Sequence, residues 1–352
     1  MSLIKNSVAK LEDYRVVQTG ARIKMNQNES PFNLDPEIKR KIGEEIIQKE
    51  WNRYPDGTAS SLIRAIGRYT GHPESGILAG NGSNELILAL ACAVCRPGDR
   101  VLVVNPGFSV YKRAAALLDL QVSEVPLKSD FSYNTGAVLE AAEKCRLVYL
   151  ASPHNPAGCV FPRKGWEQLI RSSSAVLAAD EAYFEFSRET VQSLLDLSPR
   201  LILLRTLSKA LGLAGLRIGY ALGEEHLISG VRKACLPFSL GVVQQAAGAA
   251  FLEYSGAMEA RSELIIRERD RLFHAMKRLP GIRPFPSRAN FILFKTVREP
   301  GPALYEKLYS RGVLVRIFKQ PELEDTLRVT VGLPEENEFF LSALKQSIGE
   351  RQ

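Results

Sequence analysis

The sequence predicts an α/β protein in which a mainly parallel sheet, covered by helices on both faces, is followed by a smaller α+β domain. In the first two thirds of the chain, short apolar runs alternate with helix-like segments, as in a parallel sheet with helical crossovers. After about residue 240, two helix-like segments precede several strand-like runs. With 352 residues, 45% hydrophobic and 24% charged, the chain can bury a core large enough for two domains.

The predicted strands of the first part are the apolar runs at residues 101–104, 147–150, 175–179, 201–204 and 218–222. In the second part, the segments 242–254 and 260–279 are predicted helices, and the second is long and charged. The runs 290–294, 313–316 and 327–331 are predicted strands of the smaller domain.

A lysine in a glycine-rich turn is the most informative feature of the chain. Lys209 follows the predicted strand 201–204, and Ser208 and Arg217 lie close to it in the sequence. Burial and neighbouring cations at such a place lower the pKa of an ammonium group and free the amine to act as a nucleophile. Ser208 and Arg217 are suited to binding a phosphate. Taken alone, a Ser-Lys pair is more often a solvated lysine at a strand end.

Two further polar residues follow predicted strands. Asp180 comes directly after the run 175–179, at the end of a strand where open α/β sheets bind ligands. A buried carboxylate needs a cation, and a protonated pyridine nitrogen is one such cation. Asn155 lies in a turn after the run 147–150, and its amide can donate to a phenolate or a carboxylate. Each residue also has a plain structural alternative: Asp180 as a helix cap, Asn155 in an Asx-turn, and Arg217 in a surface ion pair.

Together, Asn155-Pro-x-Gly158, Asp180-x-x-Tyr183 and Ser208-Lys209 with Arg217 resemble the class I/II aminotransferases, which depend on pyridoxal 5′-phosphate and have fold type I. Within this family the chain is most similar to the histidinol-phosphate aminotransferases. That narrower similarity lies in the segments 26–32, 53–56, 80–85, 314–316 and 327–337. The resemblance spans residues 14–345 and implies a mainly parallel seven-stranded sheet in the large domain.

The resemblance also implies a role for each matching residue. Lys209 would form the Schiff base with the cofactor and move the proton between Cα of the substrate and C4′ of the cofactor. Asp180 would keep the pyridine nitrogen protonated, and Asn155 and Tyr183 would bind the ring oxygen. The 5′-phosphate would be held by Ser208, Arg217 and the backbone amides of Ser83 and Asn84, at a turn that opens a helix.

Two residues depart from the family pattern. Phe108 stands where relatives often have a tyrosine that stacks on the pyridine ring; a phenylalanine can still stack, but it lacks the hydroxyl. His154 stands where relatives often have an asparagine, and we expect it to be a turn residue without a chemical role.

Tyr54 would reach the phosphate of the neighbouring subunit's cofactor, which implies a homodimer.

Substrate recognition is expected to rest on arginines. By resemblance, Arg328 binds the α-carboxylate of an amino acid substrate, together with Asn155. Arg316 and Tyr14 would help to hold a phosphate or another distal group. A planar guanidinium binds a carboxylate through two parallel hydrogen bonds, which fixes orientation as well as affinity.

The reaction implied is a ping-pong transamination in which L-histidinol phosphate and 2-oxoglutarate are exchanged for imidazole acetol phosphate and L-glutamate. Three alternatives stay open at this point. They are a threonine-phosphate decarboxylase of cobalamin synthesis, an aromatic-amino-acid aminotransferase, and a protein that binds the cofactor without turnover.

Other classes of function find no support in the sequence. Cys92 and Cys95 form a CxxC in an apolar helix-like run, so buried thiols are expected rather than a metal site. The net charge is +7, but basic residues alternate with acidic ones, so no nucleic acid partner is expected. Since no N-terminal signal segment or membrane span is visible, we expect a cytoplasmic protein.

The expected domains follow from these assignments. Residues 1–35 would form an arm that packs with the small domain, residues 36–240 the large cofactor-binding domain, and residues 241–352 the small C-terminal domain.

Overall fold

The structure is a computed structural model that describes residues 3–12 and 20–349, except for the side chain of residue 257. Its strands are β1 (Ile23–Lys24), β2 (Ile77–Asn81), β3 (Arg100–Asn105), β4 (Gln121–Pro126), β5 (Leu147–Ala151), β6 (Val176–Asp180), β7 (Leu201–Thr206), β8 (Ile218–Gly223), β9 (Ile282–Pro284), β10 (Phe291–Thr296), β11 (Val313–Leu314), β12 (Arg316–Ile317) and β13 (Thr326–Thr330).

The α-helices of the described residues alternate with these strands. They are α1 (Asn6–Ala9), α2 (Pro36–Ile47), α3 (Ser60–Thr70), α4 (Gly82–Val94), α5 (Ser109–Leu117), α6 (Thr135–Ala142), α7 (Arg163–Ser172), α8 (Phe184–Ser187), α9 (Glu225–Ala234), α10 (Val242–Glu253), α11 (Met258–Lys277), α12 (Gly301–Ser310) and α13 (Pro334–Gly349). Short 3₁₀ helices lie at Glu74–Gly76, Gln192–Leu197, Ala214–Leu216, Ser255–Ala257 and Pro321–Leu323.

The large sheet has seven strands in the order β2-β8-β7-β6-β5-β3-β4. The pairs from β7 to β4 are parallel, whereas β8 runs antiparallel to both of its neighbours. The predicted mainly parallel, seven-stranded sheet is therefore confirmed. Because β8 alone is reversed, its first residues lie at the edge where the other strands end.

Each face of this sheet has its own apolar core. Neighbouring residues on a strand point to opposite faces, so Leu203 belongs to one core and Leu204 to the other. Side chains of α2, α3, α6, α7 and α10 complete the first core, and those of α4, α5 and α9 complete the second. This double burial explains why the inner strands are continuous apolar runs in the sequence.

Two strands of the large sheet were not predicted, and both lie at its edges. In β4 only Val125 is buried, so this strand does not form an apolar run in the sequence. In β2 the apolar residues are few, and the strand ends in Gly80 and Asn81, which resemble the start of a turn. Strand β4 lacks the burial on both faces that makes an inner strand recognisable, whereas β2 is largely buried but has an apolar run of only Ile77 to Ala79 before the glycine.

The second unit is a four-stranded antiparallel sheet in the order β12-β13-β10-β9, next to the parallel pair of β1 and β11. Its core includes Phe291, Phe294 and Phe340, and Met25 from the N-terminal segment packs there too. The predicted strands 290–294 and 327–331 correspond to β10 and β13. The predicted strand 313–316 is divided into the short strands β11 and β12.

The expected boundary at residue 240 separates two helices that pack differently. Helix α10 packs against α2 and α3, and its Phe251 is part of the first core of the large sheet. Helix α11 contributes Ile265 and Leu272 to the core of the smaller unit. We therefore propose that the larger domain continues through α10 and ends near Glu253.

One expectation about the cysteines is wrong. Cys92 is exposed and Cys95 is half-buried, so these thiols are not both buried as predicted. Helix α4 turns Leu86, Ile87 and Leu90 toward the sheet, and Cys92 lies on a different side of the helix. The described residues contain no group of three or more His, Cys, Asp or Glu side chains arranged to hold a metal ion.

None of the helices in residues 3–12 and 20–349 has the length and apolar character needed to cross a membrane.

Candidate active site

The residues predicted from the sequence meet at one edge of the large sheet. Phe108, Asn155, Asp180 and Lys209 follow or end the parallel strands β3, β5, β6 and β7, so they lie at the carboxyl ends of these strands. This is the edge at which open α/β sheets bind ligands. Since β8 is reversed, Arg217, which precedes it, lies at the same edge.

A group of hydrogen-bond donors lies beside Lys209. Nη1 of Arg217 donates to Oγ of Ser208 at 3.2 Å, and Oγ of Ser208 is 3.0 Å from Oγ1 of Thr206. The 13-residue helix α4 begins at Gly82, directly after β2, and Ser83 lies in its first turn. The first N–H groups of a helix have no partner within it and favour an anion.

Two glycines allow these donors to come together. A Cβ atom on Gly219 would lie 2.3 Å from the backbone nitrogen of Ser83, so no larger residue fits there while this turn keeps its place. A Cβ atom on Gly82, whose φ is +72°, would lie 2.6 Å from Nη2 of Arg217. The helix start, the guanidinium and the Ser208 hydroxyl therefore lie close together, and donors of this kind suit a phosphate.

The amine of Lys209 lies above the end of β7 and donates to the backbone oxygen of Gln27 at 2.9 Å. Burial lowers the pKa of Lys209 to about 7, and the positive charge of Arg328 acts in the same direction. The carboxylate of Glu29 opposes these effects, and Arg217 adds to them. A substantial fraction of the amine is consequently unprotonated at neutral pH, as a nucleophile requires.

Asp180 ends the inner strand β6 and is only 5% exposed. Its Oδ2 accepts a hydrogen bond of 2.5 Å from the hydroxyl of Tyr111, and its Oδ1 accepts one of 3.1 Å from the N–H of Ala182. Burial raises the pKa of Asp180, while these two hydrogen bonds lower it. No role was predicted for Tyr111 from the sequence, because it lies 69 residues from Asp180 in the chain.

Arg328 connects the smaller sheet to this edge. It is 6% exposed; its Nη1 donates to Oδ1 of Asn155, and its Nη2 donates to the backbone oxygen of Asn26 at 2.9 Å. Arg316 pairs with Arg328 across β12 and β13, so the two arginines are cross-strand neighbours. Both predicted arginines therefore lie on the small sheet, and Arg328 contacts the turn that follows β5 of the large sheet.

Residues of the N-terminal segment contact the site, and these contacts were not predicted from the sequence. Gln27 accepts from Lys209, and Nδ2 of Asn28 donates to the hydroxyl of Tyr183 at 3.0 Å. Asn28 has a left-handed backbone (φ +54°), and its N–H donates to Oγ1 of Thr330 on β13. The pattern of residues 26–32 was recognised as a family feature, but it gave no indication of these contacts.

Phe108, Asn84 and Tyr54 are further predicted residues that the structure describes. The ring of Phe108 packs edge-on against Tyr111, and Asn84 is exposed in the first turn of α4. Tyr54 is 83% exposed and stacks on Phe238 with ring centroids 4.8 Å apart. Tyr14 lies outside the described residues.

His154, which was expected to be a turn residue, is buried beside this edge. Its ring meets Tyr133 edge-on at 5.4 Å, and burial lowers its pKa to about 3, so the imidazole is neutral.

Known proteins match almost the whole chain. The model of the family "Aminotransferase class I and II" matches residues 21–344. The histidinol-phosphate aminotransferase of Thermoanaerobacter pseudethanolicus is 35% identical over 351 residues, which cover 98% of both chains. The protein of the same name from Chlorobium phaeovibrioides is 37% identical over 329 residues, or 92% of this chain and 91% of the relative.

Solved structures show the same fold at lower identity. The histidinol-phosphate aminotransferase of Sinorhizobium meliloti, in complex with pyridoxal 5′-phosphate, has a TM-score of 0.88 at 24% identity and covers 99% of this chain and 98% of its own. A mutant of Thermus thermophilus aspartate aminotransferase has a TM-score of 0.82 at 20% identity, covering 99% and 100%. The predicted fold type is thereby confirmed.

The lowered pKa of Lys209 makes stability depend on pH in a defined direction. The folded pKa of about 7 lies below the unfolded value, so between the two the unfolded chain binds more protons and stability rises with pH. We expect the cofactor-free Lys209→Met variant to be more stable than the parent below pH 7, by up to about 5 kcal/mol. This advantage should shrink toward pH 10.

Urea unfolding of both cofactor-free proteins at pH 6, 8 and 9.5, at one protein concentration, measures this effect. Lys277→Met is the matched control, because Lys277 is exposed at the end of α11. An advantage of Lys209→Met that stayed constant over this range would contradict the buried-amine account.

Proposed function

Since this chain belongs to the class I and II aminotransferases, we propose that it is a histidinol-phosphate aminotransferase. It would convert L-histidinol phosphate and 2-oxoglutarate to imidazole acetol phosphate and L-glutamate. The observation that supports this substrate most strongly is the identity of 35–37% to proteins of that name over more than nine tenths of the chain. A place in histidine biosynthesis and a cytoplasmic location are parts of the same proposal, and cell fractionation tests the location.

Pyridoxal 5′-phosphate is the cofactor of this family, and the residues at the sheet edge fit it. The group needs an amine, an anion for its ring nitrogen, and donors for its phosphate. Lys209 and Asp180 supply the first two. The phosphate would be held by Ser208, Arg217 and the N–H groups of Ser83 and Asn84, where Gly219 leaves room for the turn.

When bound, the cofactor supplies an aldehyde that a lysine can attack and a ring that accepts the electron pair released at Cα of the substrate. The neutral amine of Lys209 would act as the nucleophile and then carry the proton that leaves Cα. The carboxylate of Asp180 would hold a proton on the ring nitrogen, because a buried anion stabilises a neighbouring cation. Asn155 and Tyr183 would donate to the ring oxygen.

The two arginines of the small sheet suit acidic substrates. Arg328 is oriented by Asn155 and by the backbone oxygen of Asn26, so its guanidinium is preorganised. It would bind the carboxylate of glutamate through two parallel hydrogen bonds. Arg316, its cross-strand neighbour, would bind the phosphate of the second substrate, and Tyr14 is assigned to the same group.

A single-turnover experiment tests the substrate. We expect L-histidinol phosphate, added to the cofactor-loaded protein without an acceptor, to convert the cofactor to its aminated form, with release of imidazole acetol phosphate and no carbon dioxide. Glutamate should aminate the cofactor as well. L-Phenylalanine and threonine phosphate, tested in parallel, are expected to react with a much lower second-order rate constant.

Other outcomes would replace this proposal. Carbon dioxide released from threonine phosphate would make the protein a decarboxylase. Amination by phenylalanine with a second-order rate constant above that of histidinol phosphate would make it an aromatic aminotransferase.

A Gly219→Ala substitution tests the phosphate site. Its Cβ would collide with the nitrogen of Ser83, and overpacking of this kind costs about 1–3 kcal/mol. The affinity for pyridoxal phosphate should therefore fall about tenfold or more, as measured by fluorescence quenching of the cofactor-free protein. Gly215→Ala is the control, because nothing lies within 4 Å of its Cβ position. Equal affinity of both variants would contradict a phosphate site at this turn.

A homodimer is the second part of the proposal. Trp51, Tyr54 and Leu236 are 65%, 83% and 77% exposed, and clustered apolar exposure of this kind is typical of an interface. Phe238 stacks on Tyr54, and Gln245 donates to the backbone oxygen of Asp56. The segments 51–56 and 236–245 therefore lie side by side. Tyr54 would extend from this surface to the cofactor phosphate of the partner.

We expect the cofactor-loaded protein to sediment at twice the chain mass of 39.0 kDa. Leu236→Asp should weaken the dimer, because it places a charge in the proposed interface. Leu197→Asp is the matched control, since Leu197 is 64% exposed on the separate 3₁₀ helix Gln192–Leu197. Sedimentation of the parent protein as a single chain would contradict the dimer.

A further inference from the structure

Tyr111 contacts Asp180, and the proposed function gives this contact no role. Its hydroxyl, on helix α5, donates to Oδ2 of Asp180 at 2.5 Å. Only 4% of Tyr111 and 5% of Asp180 is exposed, so this hydrogen bond is shielded from water. A hydrogen bond to a charged group in such a place contributes more than one at the surface.

Packing fixes the direction of the Tyr111 hydroxyl. The ring lies nearly parallel to that of Tyr149, with centroids 4.9 Å apart and an angle of 7° between the planes. Phe108 meets the same ring edge-on at 5.6 Å. On the other side of the carboxylate, the N–H of Ala182 donates to Oδ1. Both oxygens of Asp180 are therefore held by fixed donors.

The hydrogen bond also affects the charge of Asp180. Burial favours the protonated acid and raises its pKa, and the bond from Tyr111 opposes this rise by stabilising the anion. Glu181, Lys209 and the phenol of Tyr133 are the other titratable groups that act on Asp180. Burial raises the pKa of Tyr111 well above its usual range, so the phenol keeps its proton and remains a donor.

We propose that Tyr111 is a positioning residue that holds the carboxylate of Asp180 as a correctly oriented anion for the ring nitrogen of the cofactor. This inference rests on the role of Asp180 in the proposed function. Tyr111 itself touches neither the cofactor nor the substrate in this account, and it acts through Asp180 alone.

Cofactor affinity as a function of pH tests the proposal. Tyr111→Phe removes only the hydroxyl, and we expect it to weaken binding of pyridoxal phosphate about tenfold at neutral pH. It should also move the acid limb of the binding profile to higher pH, because Asp180 would accept a proton more readily. The dissociation constant is measured between pH 5 and 9 by fluorescence quenching of the cofactor-free protein.

The matched control is Tyr149→Phe. Tyr149 is as buried as Tyr111 and stacks on it, but its hydroxyl donates to the backbone oxygen of Ile87 at 2.6 Å. We expect this variant to keep the parent affinity and the parent pH profile. If both variants changed the affinity and the profile alike, the effect would belong to the packing of the two rings, and the proposal would fail.

A double-mutant cycle with Asp180→Asn separates this inference from the proposed function. If Tyr111 acts through Asp180, Tyr111→Phe should have little further effect on affinity in the Asp180→Asn protein. Additive losses would overturn the positioning role while leaving Asp180 in place. Parent affinity in Asp180→Asn itself would overturn the assignment of Asp180, and the role of Tyr111 with it. Near-ultraviolet circular dichroism of each variant checks that the fold is kept.

Discussion

The site depends on burying two ionisable groups at one edge of the large sheet while keeping Asp180 charged and Lys209 neutral. Asp180 must remain an anion at the end of an inner strand, and Lys209 must give up its proton close to it. Burial alone would neutralise both groups. Fixed donors from Tyr111 and Ala182 counter this at Asp180, whereas the charge of Arg328 adds to the effect of burial at Lys209. The hydrogen bonds to Asp180 thus favour its charged form, whereas the charge of Arg328 favours the neutral form of Lys209.

The topology of the large sheet makes this arrangement possible. The parallel strands β3, β5, β6 and β7 bring their ends to one edge, and the reversed strand β8 brings its beginning there. Arg217, which belongs to that beginning, therefore meets the start of helix α4. The N-terminal segment pairs with β11 through β1 and supplies Gln27 and Asn28 to the same edge. Residues from both sheets and from the arm form one site.

Much of the fold was predictable because inner strands are buried on both faces and read as apolar runs. The edge strand β4 was missed because only its Val125 is buried, and β2 was missed because its short apolar run ends in Gly80 and Asn81, which resemble a turn. The motif residues Lys209, Asp180 and Asn155 were found because each ends a strand or lies in the turn after one. The hydrogen bonds of Tyr111 to Asp180 and of Asn28 to Tyr183 were missed. They join residues that are 69 and 155 positions apart, and such a bond leaves no local pattern in the sequence. Exposure of Cys92 depends on which side of α4 faces the sheet, and an apolar helix does not reveal that side.

A crystal structure of the cofactor-loaded protein is the most direct test of the central claim. It should show continuous density from Nζ of Lys209 to pyridoxal phosphate, with the hydrogen bond to Gln27 broken. The ring nitrogen should lie within hydrogen-bond distance of Asp180, and the phosphate should lie at the start of α4, beside Ser208 and Arg217. A cofactor whose phosphate binds elsewhere, or a Lys209 amine still bound to Gln27 with no covalent bond to the cofactor, would contradict the account.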